Sequence, residues 1–202
     1  MKSLLLLPFS FLLISAAIAE TDKESSRPEA SEPIRLNSPT PKRGVPIMEA
    51  LEKRQSTRKF ADRPLSLQDM SDMLWAANGI NRPDGRRTAP SAMNNQGVRV
   101  YICLPHGCYT YDPHKQAMIP VSNQDARPDK NAPAVLILVA DQPGTWSSIN
   151  VGIVSQNISL FCSGVGIATY PRGFMDKNQL KQTLQLANEQ TPLLCHPVGY
   201  ME

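Results

Sequence analysis

Ala134-Val135-Leu136-Ile137-Leu138-Val139 is an unbroken apolar run, rich in β-branched residues and bounded by Pro133 and Asp141. It is too short for an ordinary core helix and predicts a strand buried on both faces. After it, Ile149 to Cys162 is apolar nearly all round, with Val151, Ile153, Val154, Ile158, Leu160 and Phe161. A helix of that kind is buried, either in a large core or against another subunit. Gly164-Val165-Gly166 ends it, and Ile167 to Tyr170 returns as a short strand. Asp176 caps a last helix with Gln179 at its third position and Leu180 and Leu184 facing inward, and Leu193 to Tyr200 forms a closing strand. Upstream, Val98, Val100 and Ile102 alternate as a strand, with Cys108 to Tyr111 as hairpin partner across Pro105-His106-Gly107. Two helices come before it. Ile47, Met48 and Leu51 share one face of a short helix ending near Arg54. Ser66 and Asp69 make a capping pattern ahead of Leu67, Met70 and Leu74, with Gly79 as the stop. Helices followed by mixed strands and helices predict an α+β fold.

The remaining length is not core. Lys2, an apolar run from Leu4 to Ile14 and the small-residue site Ala17-Ile18-Ala19 follow the plan of a secretory signal peptide, residues 1–19. Pro8, Ser10 and Ser15 interrupt a run already shorter than the about 20 residues of a spanning helix, so an uncleaved anchor is the lesser reading. The expectation is export, to the periplasm, with no membrane insertion after cleavage. Residues 20–43 hold Pro28, Pro33, Pro39 and Pro41, five acidic and five basic residues and few large apolar ones. Such a composition predicts a flexible tether. The fold is then assigned to 44–202, about 159 residues. A net charge of +3 spread over 202 residues speaks against a nucleic-acid partner.

Three clusters carry chemistry. In Arg54-Gln55-Ser56-Thr57-Arg58-Lys59-Phe60, alternation in an extended chain puts Arg54, Ser56 and Arg58 on one side. Guanidinium forks beside a hydroxyl suit a phosphate, although a basic run is also an ordinary solvated face. In Thr88-Ala89-Pro90-Ser91-Ala92-Met93-Asn94-Asn95-Gln96, small residues allow a planar ligand close to the backbone, while Asn94 and Gln96 offer amides to a heterocycle edge. A ligand-free polar turn is the alternative there. In Gly164-Val165-Gly166 through Tyr170-Pro171-Arg172-Gly173-Phe174, glycines can expose backbone N–H groups, or merely end a helix.

Taken together and in order, these clusters resemble the nitroreductase family of flavin enzymes. The first resembles its R-x-S-x-R-x-F opening and the second its P-S-A-x-N-x-Q segment. Gln156-Asn157-Ile158 with the following G-x-G, then Arg172-Gly173-Phe174, resemble the approach to its flavin loop. Ala132-Pro133-Ala134-Val135 and Pro197-Val198-Gly199-Tyr200 resemble two core strands, so the likeness runs from about Pro46 to Tyr200. It implies a mixed, mainly antiparallel sheet flanked by helices, FMN held at the interface of an intertwined homodimer, and ping-pong transfer of hydride or electrons between a donor and a small organic substrate. Carried onto this chain, Arg54 and Ser56 hold the phosphate end and Arg58 lies near the pyrimidine edge. Pro90, Ser91, Ala92, Asn94 and Gln96 approach the ring, Ser91 and Asn94 from the partner subunit. The backbone N–H of Arg172 or Gly173 faces the flavin nitrogen that accepts hydride, and no side chain acts as a nucleophile.

Gly97-Val98 stands where the family often has Pro-Trp after its Gln, and the sequence stops at Glu202, short of a C-terminal Lys or Arg that grips the phosphate in many members. Arg86 or Arg87 is the substitute contact in view. These departures keep a rival open, a flavin- or ligand-binding module without turnover. Val100 to Asp112 further resembles the hairpin of the azoline-oxidase branch of the family. An export signal leaves the electron donor open, because NAD(P)H is an intracellular cofactor. Cys103, Cys108, Cys162 and Cys195 lack metal-site spacing, so no metal is expected. Cys103 and Cys108 flank the hairpin turn, where a disulfide and two free thiols are equally open readings. His196 in the closing strand reads as a core histidine.

Overall fold

The computed structural model describes residues 32–202, so the signal-peptide reading of 1–19 and residues 20–31 lie outside the described residues. The elements in chain order are β1 (Ile34–Arg35), α1 (Ile47–Lys53), α2 (Leu67–Asn78), β2 (Val98–Leu104), β3 (Gly107–Asp112), β4 (Ala117–Ser122), β5 (Ala134–Ala140), α3 (Thr145–Val165), β6 (Ile167–Thr169), α4 (Lys177–Thr183) and β7 (Thr191–Tyr200). One sheet runs in the order β1-β4-β3-β2-β5-β7-β6, and every pairing among the described strands is antiparallel. The fold is α+β, as the sequence implied.

The apolar run is the middle of this sheet. Every residue of β5 is buried between β2 and β7. Alternation sends Leu136 and Leu138 into a core closed by α2 and α3, with Met73, Leu74 and Ile158. Val135, Ile137 and Val139 enter a second core with Leu180 of α4 and Leu184 at its C-terminal cap. A strand with two buried faces can carry no polar alternation, which is why it reads as a continuous run.

The helix ends follow local chemistry. The Ser66 hydroxyl accepts the Asp69 N–H and Asp176 accepts that of Gln179. α3 stops at Gly166, which takes the left-handed conformation at φ 74° and returns its N–H to Cys162. The β2–β3 turn is followed by β4, a strand absent from the expected list. Met118 of β4 is buried, but Gln116, Pro120 and Ser122 blur its alternation.

The start of the fold differs from the boundary drawn at Gly44. Residues 32–43 are no free tether. Ile34 and Arg35 pair with β4, and Leu36 is buried in the core. The rest of the strap is tied to α2, whose inner side carries buried Asp69, Ser71 and Asp72. Thr40 donates its N–H to Asp72 at 2.7 Å, Asn37 donates to the Ser71 hydroxyl at 2.9 Å, and the Arg43 guanidinium bridges both carboxylates. Polar composition argued for disorder only because the partners of these polar groups lie on a helix some thirty residues away in sequence, roughly the loop closure an ordered strap must offset.

The face of α1 formed by Ile47, Met48 and Leu51 points outward, with Met48 73% exposed, and Ala50 is the one buried residue of that helix. α3 buries Val151, Val154, Ile158 and Cys162 against the sheet, but Ile149 and Trp146 at its start are exposed. Both helices therefore present apolar surface that this single chain does not cover. Among the described residues, no helix is long and apolar enough to cross a membrane.

Candidate functional site

Arg54 ends α1, and its backbone turns extended (φ −61°, ψ 116°), so Arg54 to Phe60 runs as an open stretch along the sheet edge. Thr57 donates its N–H to Thr169 of β6, and Ala61 donates to Tyr200 of β7, fixing the stretch at both ends. Arg54, Ser56 and Arg58 are exposed. Arg54 lines a cavity of about 630 Å³ with Ser159, Ser163 and Gly166 of the α3 end. Ser56 and Arg58 line an adjoining one of about 460 Å³, which shares Gln55, Thr57 and Met201 with the first. The Arg58 guanidinium sits 4.7 Å over the Tyr170 ring. Among the described residues neither Arg54 nor Arg58 has an ion-pair partner, so both remain available to an anionic group.

Pro90 to Gln96 forms a tight loop around a single helical turn at Ala92–Asn94. Met93, Asn94 and Gln96 all have positive φ, at 52°, 54° and 52°. Three such residues in four store backbone strain, which persists only where surrounding contacts impose it. The Ser91 hydroxyl accepts the Gln96 N–H at 2.9 Å, and the Gln96 amide donates to Gly85. Asn150 of α3, buried to 2%, accepts the Ala92 N–H through its Oδ1 and donates to Asn95. Asn150 was not singled out from the sequence. Its signal was an amide between Ile149 and Val151, one of several polar residues along the helix. Met93 is 93% exposed. Met93→Asn is expected to raise the unfolding free energy by about 0.5–1 kcal/mol, because Asn tolerates this conformation better. Chemical denaturation of the two proteins checks it.

Arg172 and Cys195 exchange both backbone hydrogen bonds at 2.8 Å, a β-bridge that anchors the loop to β7. This corrects one expectation, since the Arg172 N–H is occupied by the Cys195 carbonyl. The Gly173 N–H has no partner among the described residues, and nothing lies within 4 Å of where a Cβ would stand. Gly173 is therefore the backbone donor this loop offers. Phe174 beside it is 83% exposed.

The clusters are not all brought together in one chain. The Arg54 cavity abuts Ser163 near the C-terminal end of α3, while the Ser91–Gln96 loop is held by Asn150 near its start. At 1.5 Å per residue, Asn150 lies about 13 Å along the helix from Ser159 and about 20 Å from Ser163. Arg87 lines a cavity that shares no residue with that of Arg54.

His196 is fully buried between Ser155 of α3, at 2.7 Å from Nε2, and Thr169 of β6, at 3.2 Å from Nδ1. The Thr169 hydroxyl donates to the Pro197 carbonyl, so it accepts from Nδ1–H and leaves Nε2 to accept from Ser155. Burial pushes the His196 pKa down to about 4, and the ring is neutral, a core histidine as read. The Cys103 and Cys108 thiols face each other across β2 and β3 with sulfurs 3.0 Å apart and unbonded. Burial raises the Cys195 pKa to about 12, so that thiol is inert. Among the described residues, no His, Cys, Asp and Glu group has the makings of a metal site.

The chain is thus an α+β protein with an antiparallel sheet flanked by helices, an arginine-lined edge and a strained loop. Residues 51–200 match the nitroreductase family, and the chain belongs to that family. A nitroreductase-type protein of Methanocaldococcus jannaschii is 26% identical over 182 residues, covering 77% of this chain and 91% of that one. A crystal structure of a nitroreductase-type protein from Ralstonia eutropha JMP134 superposes with a TM-score of 0.80 at 32% identity, covering 86% of this chain and 91% of that chain. The FMN- and NADPH-dependent nitroreductase NfnB of a Sphingopyxis strain shares the fold at 17% identity and a TM-score of 0.56, over 78% and 89% of the two chains.

Proposed function

We propose that this protein binds FMN and transfers electrons through it between a donor and a small organic acceptor, as an exported homodimer whose sites are each built by two chains. The observation that carries this is the separation of the two half-sites. The free cation Arg54 with Ser56 suits a phosphate at one end of α3, with Arg58 further along the same stretch for the ring, and the Pro90–Gln96 loop is shaped for close backbone approach at the other end. About 13–20 Å of helix separates them within a chain, and a second copy brings the missing half. The uncovered apolar faces of α1 and α3 offer the contact surface.

The residues present fit the flavin. The unpaired Arg54 guanidinium and the Ser56 hydroxyl favour its phosphate, and the unpaired Gly173 N–H offers a donor to a ring nitrogen. A bound flavin supplies two-electron transfer, which lets donor and acceptor react in turn at one open face. The chain's own contribution is to hold that ring through backbone contacts, to add positive charge from Arg58 near it, and to leave one side open. Electron supply outside the cytoplasm rests on the export signal read in residues 1–19.

The absorbance spectrum of the purified protein tests the central reading. A yellow protein that bleaches with dithionite and regains colour on adding an acceptor is the expected result. Bound flavin without turnover leaves a binding module, and a colourless protein that refuses added FMN ends the flavin reading. Arg54→Ala is expected to weaken FMN binding by about 1.5–3 kcal/mol, the worth of a charge-assisted phosphate contact. Fluorescence titration of the apoprotein measures it. Mixing Arg54→Ala with Asn94→Ala chains then tests the shared site, because a heterodimer regains one intact site. No recovery on mixing argues for sites built within single chains.

A further inference from the structure

A second cavity, of about 420 Å³, lies where the loop before β2 meets the ends of β2, β3 and β4. It shares no residue with the cavities at Arg54 and Ser56. Its charged lining pairs off almost completely. Arg99 forms an ion pair with Asp141, which also accepts from Gln190. Lys115 lies 3.9 Å from Asp112, which takes the backbone N–H groups of His114 and Lys115 as well. Arg87 is left over. Its side chain has no ion pair or hydrogen bond among the described residues, and its Nε is buried without a partner. Burial, with Arg99 nearby, pushes its pKa below the usual arginine value.

An arginine with a choice would swing into water. Here the backbone on both sides is pinned. Arg87 bridges to Ile80, its carbonyl accepts from Arg82, and Thr88 donates its N–H to Gly79 and its hydroxyl to Trp75. Arg87 is half-buried and its Nε is the atom left buried without a partner, a donor that a ligand or an ordered water would satisfy. The surplus charge is a single positive one, carried by a planar fork, in a cavity whose walls include Val98, Val100 and Ile119. A phosphate dianion asks for more cations and fewer apolar walls, whereas a carboxylate on an apolar body matches both features.

We propose that this cavity binds a small organic monocarboxylate, its carboxylate paired with Arg87 and its apolar part against the ends of β2 and β4. The cavity borders the Pro90–Gln96 loop through Gln96, but it shares no residue with the cavities at Arg54 and Arg58.

Calorimetric titration of the full protein with benzoate, with its neutral counterpart benzamide and with inorganic phosphate tests this. Benzoate should bind, and benzamide at least about tenfold more weakly, the scale of one charge-assisted contact. Arg87→Gln should weaken benzoate by a similar factor, with its flavin absorbance recorded beside the parent's. Without benzoate it should unfold no earlier than the parent, because the side chain gives up no protein contact. Equal binding of benzoate and benzamide, preference for phosphate, or benzoate affinity unchanged in Arg87→Gln overturns the proposal. Loss of flavin in Arg87→Gln overturns it too, by making Arg87 a flavin contact, and earlier unfolding does so by revealing a partner within the protein.

Discussion

Arg43→Ala is expected to lower the free energy of unfolding by about 3 kcal/mol, because it strands two carboxylates that the fold has removed from water. Asp69 and Asp72 are 9% and 3% exposed in their side chains, and the Arg43 guanidinium contacts both. Asp69 also accepts from Ser66 and from the Tyr200 hydroxyl, and these contacts hold its pKa below the ordinary value despite burial. Arg43 is 29% exposed in its side chain, so water reaches the pair and the loss falls at the lower end of the range for buried ion pairs. Urea denaturation of both proteins measures the effect. Adding Asp69→Asn and Asp72→Asn to Arg43→Ala should restore part of the stability, since the stranded charges are then gone. A loss below about 0.5 kcal/mol would mean that the strap contributes no more than a surface ion pair.

Acid should destabilise the fold well before its carboxylates protonate. His196 has a pKa of about 4 in the folded chain against 6.5 ordinarily, so the unfolded chain binds a proton between these values that the folded chain refuses. Stability therefore falls as pH falls from 6.5 to 4 and is lost in full below that, by roughly 3 kcal/mol, at 1.36 kcal/mol for each pKa unit. The cause is burial, which disfavours the charged ring held between Ser155 and Thr169. Asp69 and Asp125, both with lowered pKa, add their losses below about pH 4, with Asp125 held near 2 by Arg127 and Lys130. Unfolding curves at pH 7, 5.5 and 4 give the slope. His196→Gln should be less stable at pH 7 yet nearly flat from 6.5 to 4, and an unchanged slope in that variant places the sensitivity elsewhere.

The central strand, the capped helices, the apolar α3 and the closing strand were legible because each rests on contacts near in sequence or on an apolar pattern that burial makes obligatory. Residues 134–139 can hardly form anything but a two-faced core strand, and Ser66 caps α2 through a residue three positions away. The site motifs were legible as local chemistry: Arg54, Ser56 and Arg58 on one extended stretch, and Ser91 to Gln96 on one loop.

The rest depended on distant partners. The strap at 32–43 looked like a polar tether because its partners are buried carboxylates on α2. The Arg172 N–H looked available until Cys195 occupied it, and Asn150 was one amide among apolar neighbours until it received the Ala92 N–H. Arg87 was one basic residue beside another. The sequence by itself determined which segments must be buried and which residue types could meet a phosphate or a planar ring, since those follow from side-chain chemistry and short-range periodicity. Only the tertiary structure decided which polar groups are satisfied and which are left with an open hand, because hydrogen-bond partners are chosen in space and a buried donor shows its need only when its surroundings are known.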